Sequence, residues 1–118
     1  MTSVSLPKNL IDKNALSNGY VKKANGQVEI VSWYKYTDYI RCDGKTYVYT
    51  RNTTSSSSTL RGVCYYDASK NFISGTIQDV DDTIHKSYAV PSTAHYFRLN
   101  VSPALVDSAI ASFSAESL

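Results

Sequence analysis

The sequence predicts an all-β fold, a two-sheet antiparallel β-sandwich, and three observations carry that expectation. Turn signals recur about every 8–12 residues, the rhythm of short strands in a sandwich. The segments between them are rich in Tyr, Val, Thr and Ser, with ten tyrosines in 118 residues, a bias toward strands. No segment keeps the 3.6-residue apolar period over the length of an ordinary helix. One domain fits this length, expected over residues 9–114 between a lead-in at 1–8 and a tail at 115–118. Such a chain buries roughly two thirds of its unfolded surface, enough for a core without metal or disulfide staples.

The elements follow in order. Asn9-Leu10-Ile11-Asp12 reads as a short strand or an anchoring turn, and Ser17-Asn18-Gly19-Tyr20 as a turn. Gly19-Tyr20-Val21 begins a strand that Asn25-Gly26 folds back as a tight hairpin. From Gln27 to Trp33 the chain alternates, with Val28, Ile30 and Ser32 against Glu29, Val31 and Trp33. Trp33-Tyr34-Lys35-Tyr36 is dense in rings that cannot all face one core from a strand, so one or two are expected at the surface or along a groove. Asp38 to Cys42 reads as a strand, Asp43-Gly44 as a turn, and Thr46 to Thr50 as a strand of strong β-formers. Residues 51–59, RNTTSSSST, form a polar loop.

Arg61 to Asp67 is the next strand, with Val63 and Tyr65 opposed to Cys64 and Tyr66. Ala68 to Asn71 turns the chain back into Phe72-Ile73-Ser74-Gly75. An acidic stretch from Gln78 to Lys86 precedes a short strand, Ser87 to Val90, that Pro91 stops. The cleanest strand follows. Phe97, Leu99 and Val101 make a core face, while Tyr96, Arg98 and Asn100 share the other face. Pro103 ends it, and Leu105 to Phe113 reads as a helical turn and a last strand near Ala109–Phe113.

Composition excludes several functions. A net charge of +2 with scattered cations lacks the dense basic stripe that nucleic acid requires. No apolar run is long enough to span a bilayer, so no membrane insertion is expected. MTSVSLPKNL shows no signal-peptide pattern, so the protein is expected either to stay inside the cell that makes it or to leave by lysis or inside an assembled particle. Cys42 and Cys64 lack metal or redox spacing and read as two separate buried thiols; a disulfide would need an oxidising compartment. Asp79-Val80-Asp81-Asp82 offers the hard oxygens that calcium takes, without the Gly and Glu positions of a calcium loop. A solvated acidic turn is therefore expected, structural calcium being the one cofactor left open. His85 and His95 do not make a zinc motif. No G-x-S-x-G, H-E-x-x-H or phosphate-cradling glycine loop is present, and the clustered carboxylates sit in a loop, so no catalytic residues are expected.

What remains is binding chemistry. Saccharide sites need a flat ring against the sugar's C–H face and polar groups for adjacent hydroxyls, since an unpaired buried hydroxyl costs about 1–3 kcal/mol. Trp33, Tyr34 and Tyr36 supply rings. Arg61, Tyr96, Arg98 and Asn100 supply polar strand faces, the last three spaced about 7 Å apart on one stripe. Two alternatives stay open. Arg98 is as well suited to a structural ion pair with a neighbouring Asp, and the Trp33–Tyr36 cluster to core packing or a subunit seam.

The order of motifs adds a resemblance. Asn9-Leu10, Gly19-Tyr20, T-D-Y-I at 37–40 and T-Y-V-Y at 46–49 are followed by C-Y-Y-D-A-S-K-N-F-I-S-G at 64–75 and V-P-S-T-A-H-Y-F-R-L-N at 90–100. Over roughly residues 9–114 this resembles the carbohydrate-binding-module-like β-sandwich domains of bacteriophage tail and baseplate proteins of Gram-positive hosts. The resemblance implies a jelly-roll sandwich. It implies non-catalytic adhesion to host cell-wall or surface saccharide, other tail proteins as partners, and a place in the virion after assembly in the bacterial cytoplasm. The alternative within the same machinery is a structural or oligomerising decoration module that binds protein only. Tyr96 and Arg98 belong to the recurring pattern, which makes them scaffold as much as contacts. Trp33 and the loop at Ser55–Ser58 lie outside it, where specificity varies.

Overall fold

The computed structural model describes residues 9–54, 60–77 and 86–114. Short antiparallel strands make up an all-β sandwich, with a 3-10 turn at Pro103–Leu105. In chain order the strands are β1 (Ser17–Asn18), β2 (Tyr20–Val21), β3 (Val28–Glu29), β4 (Lys35–Tyr36), β5 (Ile40–Arg41) and β6 (Tyr47–Arg51). After these come β7 (Gly62–Tyr66), β8 (Phe72–Ile77), β9 (Lys86–Ala89), β10 (Tyr96–Val101) and β11 (Ile110–Ser112). The larger sheet runs β1-β4-β10-β7-β8, with β5 also paired to β10. The smaller runs β11-β6-β9, and β2–β3 form a separate hairpin.

Between the two sheets lies the main core. Phe97, Leu99 and Val101 of β10 and Val63 and Tyr65 of β7 face Val48, Tyr88 and Ala111 of the smaller sheet. Each such fully buried large side chain contributes about 1.5–3 kcal/mol. Asn9 ties the chain's start to β11: its Nδ2 donates to Ala109 O at 2.9 Å and its Oδ1 accepts from Ala111 N–H at 3.0 Å. The segment 9–12 is thus the anchoring turn of the two readings, not a strand.

A second cluster sits on the outer face of the larger sheet, where Val21, Cys64 and Tyr66 are buried with Tyr36, Tyr39, Phe72 and Tyr96 against them. The β2–β3 hairpin covers this face, so every residue of β7 is buried. Gly75 of β8 makes the cover fit. A Cβ there would stand 2.0 Å from Lys23 O, so the hairpin backbone lies where a side chain would otherwise project. Cys42 belongs to the inner cluster and Cys64 to the outer one, and both thiols are free.

Three segments differ from expectation. Ser17-Asn18 is a strand paired with β4, not a turn. The strand expected over 27–33 stops at Glu29. The strand expected over 38–42 is only Ile40–Arg41, because the chain bulges just before it. The turns at Asp43-Gly44 and 67–71, and a last strand inside 109–113, stand where the sequence puts them. The lead-in, Ser55–Ser58, the acidic run with His85, and the tail lie outside the described residues.

Candidate functional site

The bulge is the origin of the site's geometry. Tyr36 pairs with Asn100, and Thr37 N–H donates to Leu99 O at 3.0 Å, while Ile40 pairs with Phe97. Asp38 and Tyr39 therefore stand together opposite the single residue Arg98, the two-against-one count of a β-bulge. The Arg98 guanidinium lies 3.9 Å from the Tyr39 ring centroid, 5.3 Å from that of Tyr36 and 6.0 Å from that of Tyr66. Its nearest carboxylate is Asp38 Oδ1 at 4.0 Å. The Arg98 side chain is 14% exposed against 80% for Asp38, so the rings supply most of its surroundings. Cation–π contacts of this desolvated kind are worth about 1–2 kcal/mol.

Tyr39 also carries a second cation. Lys70 Nζ stands 4.8 Å from its centroid and 5.4 Å from that of Tyr96. Lys70 has φ of 65°, a left-handed turn position that favours Gly or Asn. The Asp67 carboxylate holds that turn by accepting from Ser69 and Asn71 N–H, each at 2.9 Å. Those bonds, the one from Asn71 first, keep the Asp67 carboxyl below its usual range.

The exposed ring stands just before β4. Trp33 is 58% exposed. Its indole rests against Tyr20 at 6.2 Å and edge-on to Tyr34 at 6.4 Å between centroids. Glu29 pairs across the hairpin with Tyr20 and forms an ion pair with Lys22 at 3.4 Å. Lys35 Nζ donates to Asn18 Oδ1 on the adjacent strands. Glu29 and Lys22 thus share the hairpin with Tyr20, and Lys35 and Asn18 lie on the neighbouring β1–β4 pair.

The seven residues expected at a binding face separate accordingly. Trp33 is open. Tyr36 and Arg98 come together, with Tyr96 joined to them through Tyr39 at 5.8 Å. Arg61 is half-buried just before β7. Tyr34 and Asn100 are corrections, since both are buried and present no surface to a ligand. Asn100 is 0% exposed: its Oδ1 accepts from Val21 N–H at 2.7 Å, and its Nδ2 donates to Val21 O at 3.1 Å and Leu60 O at 3.0 Å. It holds the covering hairpin on the sheet. The stripe read as Tyr96, Arg98 and Asn100 is real, but the hairpin roofs one end and the bulge fills the middle.

Sequence reasoning missed Tyr20, Tyr39 and Lys70. The available signal for Lys70 was a lysine at a turn position that favours Gly or Asn. For Tyr39, nothing marks a bulge in the sequence. Neither thiol is a candidate nucleophile, since burial pushes Cys42 up to about 11 and Cys64 up to about 12. Among the described residues no three His, Cys, Asp or Glu gather to hold a metal ion, and no helix is long and apolar enough to cross a membrane. Comparison with family models, curated proteins and solved structures returned no match.

Proposed function

We propose that the protein is a non-catalytic saccharide-binding module, adhering to bacterial cell-wall or surface glycan from a phage tail or baseplate, with Trp33 as its stacking platform. The observation that carries this reading is the exposed indole braced by Tyr20 and Tyr34. A ring already held by its neighbours loses little freedom when a sugar lies on it. Glu29 and Lys22 on the hairpin of Tyr20, and Lys35 and Asn18 on β4 and β1, offer acceptors and donors for hydroxyl groups. The tail context, with other tail proteins as partners and the virion as location, is supported by the motif order in the sequence alone.

Calorimetric titration with wall polysaccharide of a Gram-positive host tests it. Trp33→Ala is expected to weaken binding at least about tenfold, some 1.4 kcal/mol, with the thermal midpoint unchanged. No binding at millimolar ligand would sink the proposal. Arg98→Ala is the wrong probe, because its rings and Asp38 make it part of the scaffold.

One observation favours a protein-only decoration module instead. Ile30 is 79% exposed, three residues before Trp33, and its Cα lies 3.2 Å from where a Cβ on Gly19 would stand. A branched aliphatic there suits a subunit seam better than a sugar. Sedimentation showing a stable oligomer that Trp33→Ala dissociates would establish that reading.

A further inference from the structure

On the saccharide reading just given, we infer that the module carries a second subsite specific for the acetamido group of an N-acetylated amino sugar. Beside the bulge is a small open pocket of about 100 Å³. The N-terminal segment supplies Leu10, Asp12, Ala15 and Leu16, the β4–β5 connection supplies Thr37 and Asp38, and β5 supplies Ile40. Leu10, Leu16 and Ile40 also pack on the main core, so the apolar wall is a rigid one.

Size selects the occupant first. A cavity of about 150 Å³ accepts a benzene ring, so this pocket takes about four heavy atoms. Pockets that enclose a whole ligand begin at about 300 Å³, so no sugar ring enters it. Chemistry selects next. Leu, Ile and Ala side chains favour a methyl group. The two carboxylates accept hydrogen bonds and donate none, while the Thr37 hydroxyl, which accepts from Leu99 N–H, has a proton to donate to an acetamido carbonyl. Asp12 Oδ1 accepts from Asn14 N–H at 3.0 Å and Asp38 Oδ1 from Tyr39 N–H at 2.7 Å, which orients both groups and leaves acceptor capacity on each. An acetamido substituent has four heavy atoms, a methyl at one end and an N–H at the other. A hydroxyl lacks the methyl, and an ammonium lacks any use for the apolar wall. Trp33 and Asp38 are five residues apart, their Cα atoms at most about 18 Å from each other, a separation within the length of a short oligosaccharide.

The test compares three probes on the intact chain by calorimetry: oligomers of N-acetylglucosamine, the same oligomers deacetylated, and the matching glucose oligomers. The acetylated form is expected to bind at least about tenfold more tightly than either other form. Ala15→Leu, which fills the mouth, should remove that preference while leaving glucose-oligomer binding as it was. Trp33→Ala should weaken all three together. Saturation-transfer NMR on the wild type gives a readout independent of any variant, with the acetyl methyl expected to receive the strongest transfer. Equal binding of acetylated and glucose oligomers overturns the acetamido subsite and leaves the Trp33 platform standing. Tighter binding of the deacetylated form overturns it as well. Absence of binding by all three removes both.

Discussion

Asn100 joins the hairpin to the sheet with one side chain. Its amide matches the buried donor and acceptor of Val21 and adds the part-buried Leu60 carbonyl. Asn100→Ala leaves those groups unpaired and is expected to cost about 2–5 kcal/mol in urea unfolding, since each orphaned buried group costs about 1–3 kcal/mol. The neighbouring tyrosines of β7 make a sharper comparison. Tyr66 hydroxyl donates to Gly26 O at 2.7 Å. Tyr65 hydroxyl is buried in the main core and has no hydrogen-bond partner among the described residues. Tyr66→Phe is therefore expected to lower stability by about 1 kcal/mol, and Tyr65→Phe to leave it unchanged or raise it. Equal losses in thermal unfolding would refute the assignment. Adjacent, chemically identical residues differ here only in the face of the sheet they occupy.

At the scale of elements, the β2–β3 hairpin is the part that decides where a ligand can go. It is two residues per strand, too short to be stable alone. It persists because Asn100 and Gly75 hold it against the larger sheet. Gly75→Ala puts a methyl 2.0 Å from Lys23 O and must push the hairpin outward. The expected result is a loss of about 1–3 kcal/mol. Faster hydrogen exchange should appear at residues 20–29, with protection in β6, β9 and β11 retained. The 67–71 turn offers a pH prediction. Asp67 is depressed when folded, so its contribution is present above the usual value of 3.8 and lost as pH falls through the lower native one. Asp67→Asn should flatten the acid limb of the urea midpoint as pH falls through 3.8 and below.

For the whole molecule, the two-cluster organisation controls the thiols. Cys42 and Cys64 are separated by the larger sheet and cannot pair without unfolding. Reducing and non-reducing conditions are expected to give the same thermal midpoint. Burial raises both thiols, so the native state keeps its protons while the unfolded chain ionises past the usual value of 9.0. Stability should accordingly fall as pH rises from 9 toward 11, and thiol reagents should label neither cysteine until the chain unfolds.

Much of this was legible from residues. The alternation of Phe97, Leu99 and Val101 against Tyr96, Arg98 and Asn100 is the observed one, because a strand's side-chain period is a local property. The same holds for the 63/65 and 64/66 faces of β7 and for the turns at 43–44 and 67–71. The crowding of Trp33 to Tyr36 correctly required an exposed ring, which is Trp33. What the local pattern could not supply was the second layer. Alternation tells which side chains share a face, and says nothing of whether water or another segment covers it.

By itself, then, the sequence determined an all-β sandwich, its principal strands and the composition of its inner core, since these follow from period, propensity and turn chemistry. Tertiary structure alone decided that the Arg98 stripe is roofed and not open. A one-residue bulge sets Asp38 and Tyr39 against Arg98, and a glycine 45 or more residues away in sequence lets the hairpin close over Asn100. Both depend on which distant backbones meet. That meeting is a property of long-range packing, and no local window of residues encodes it.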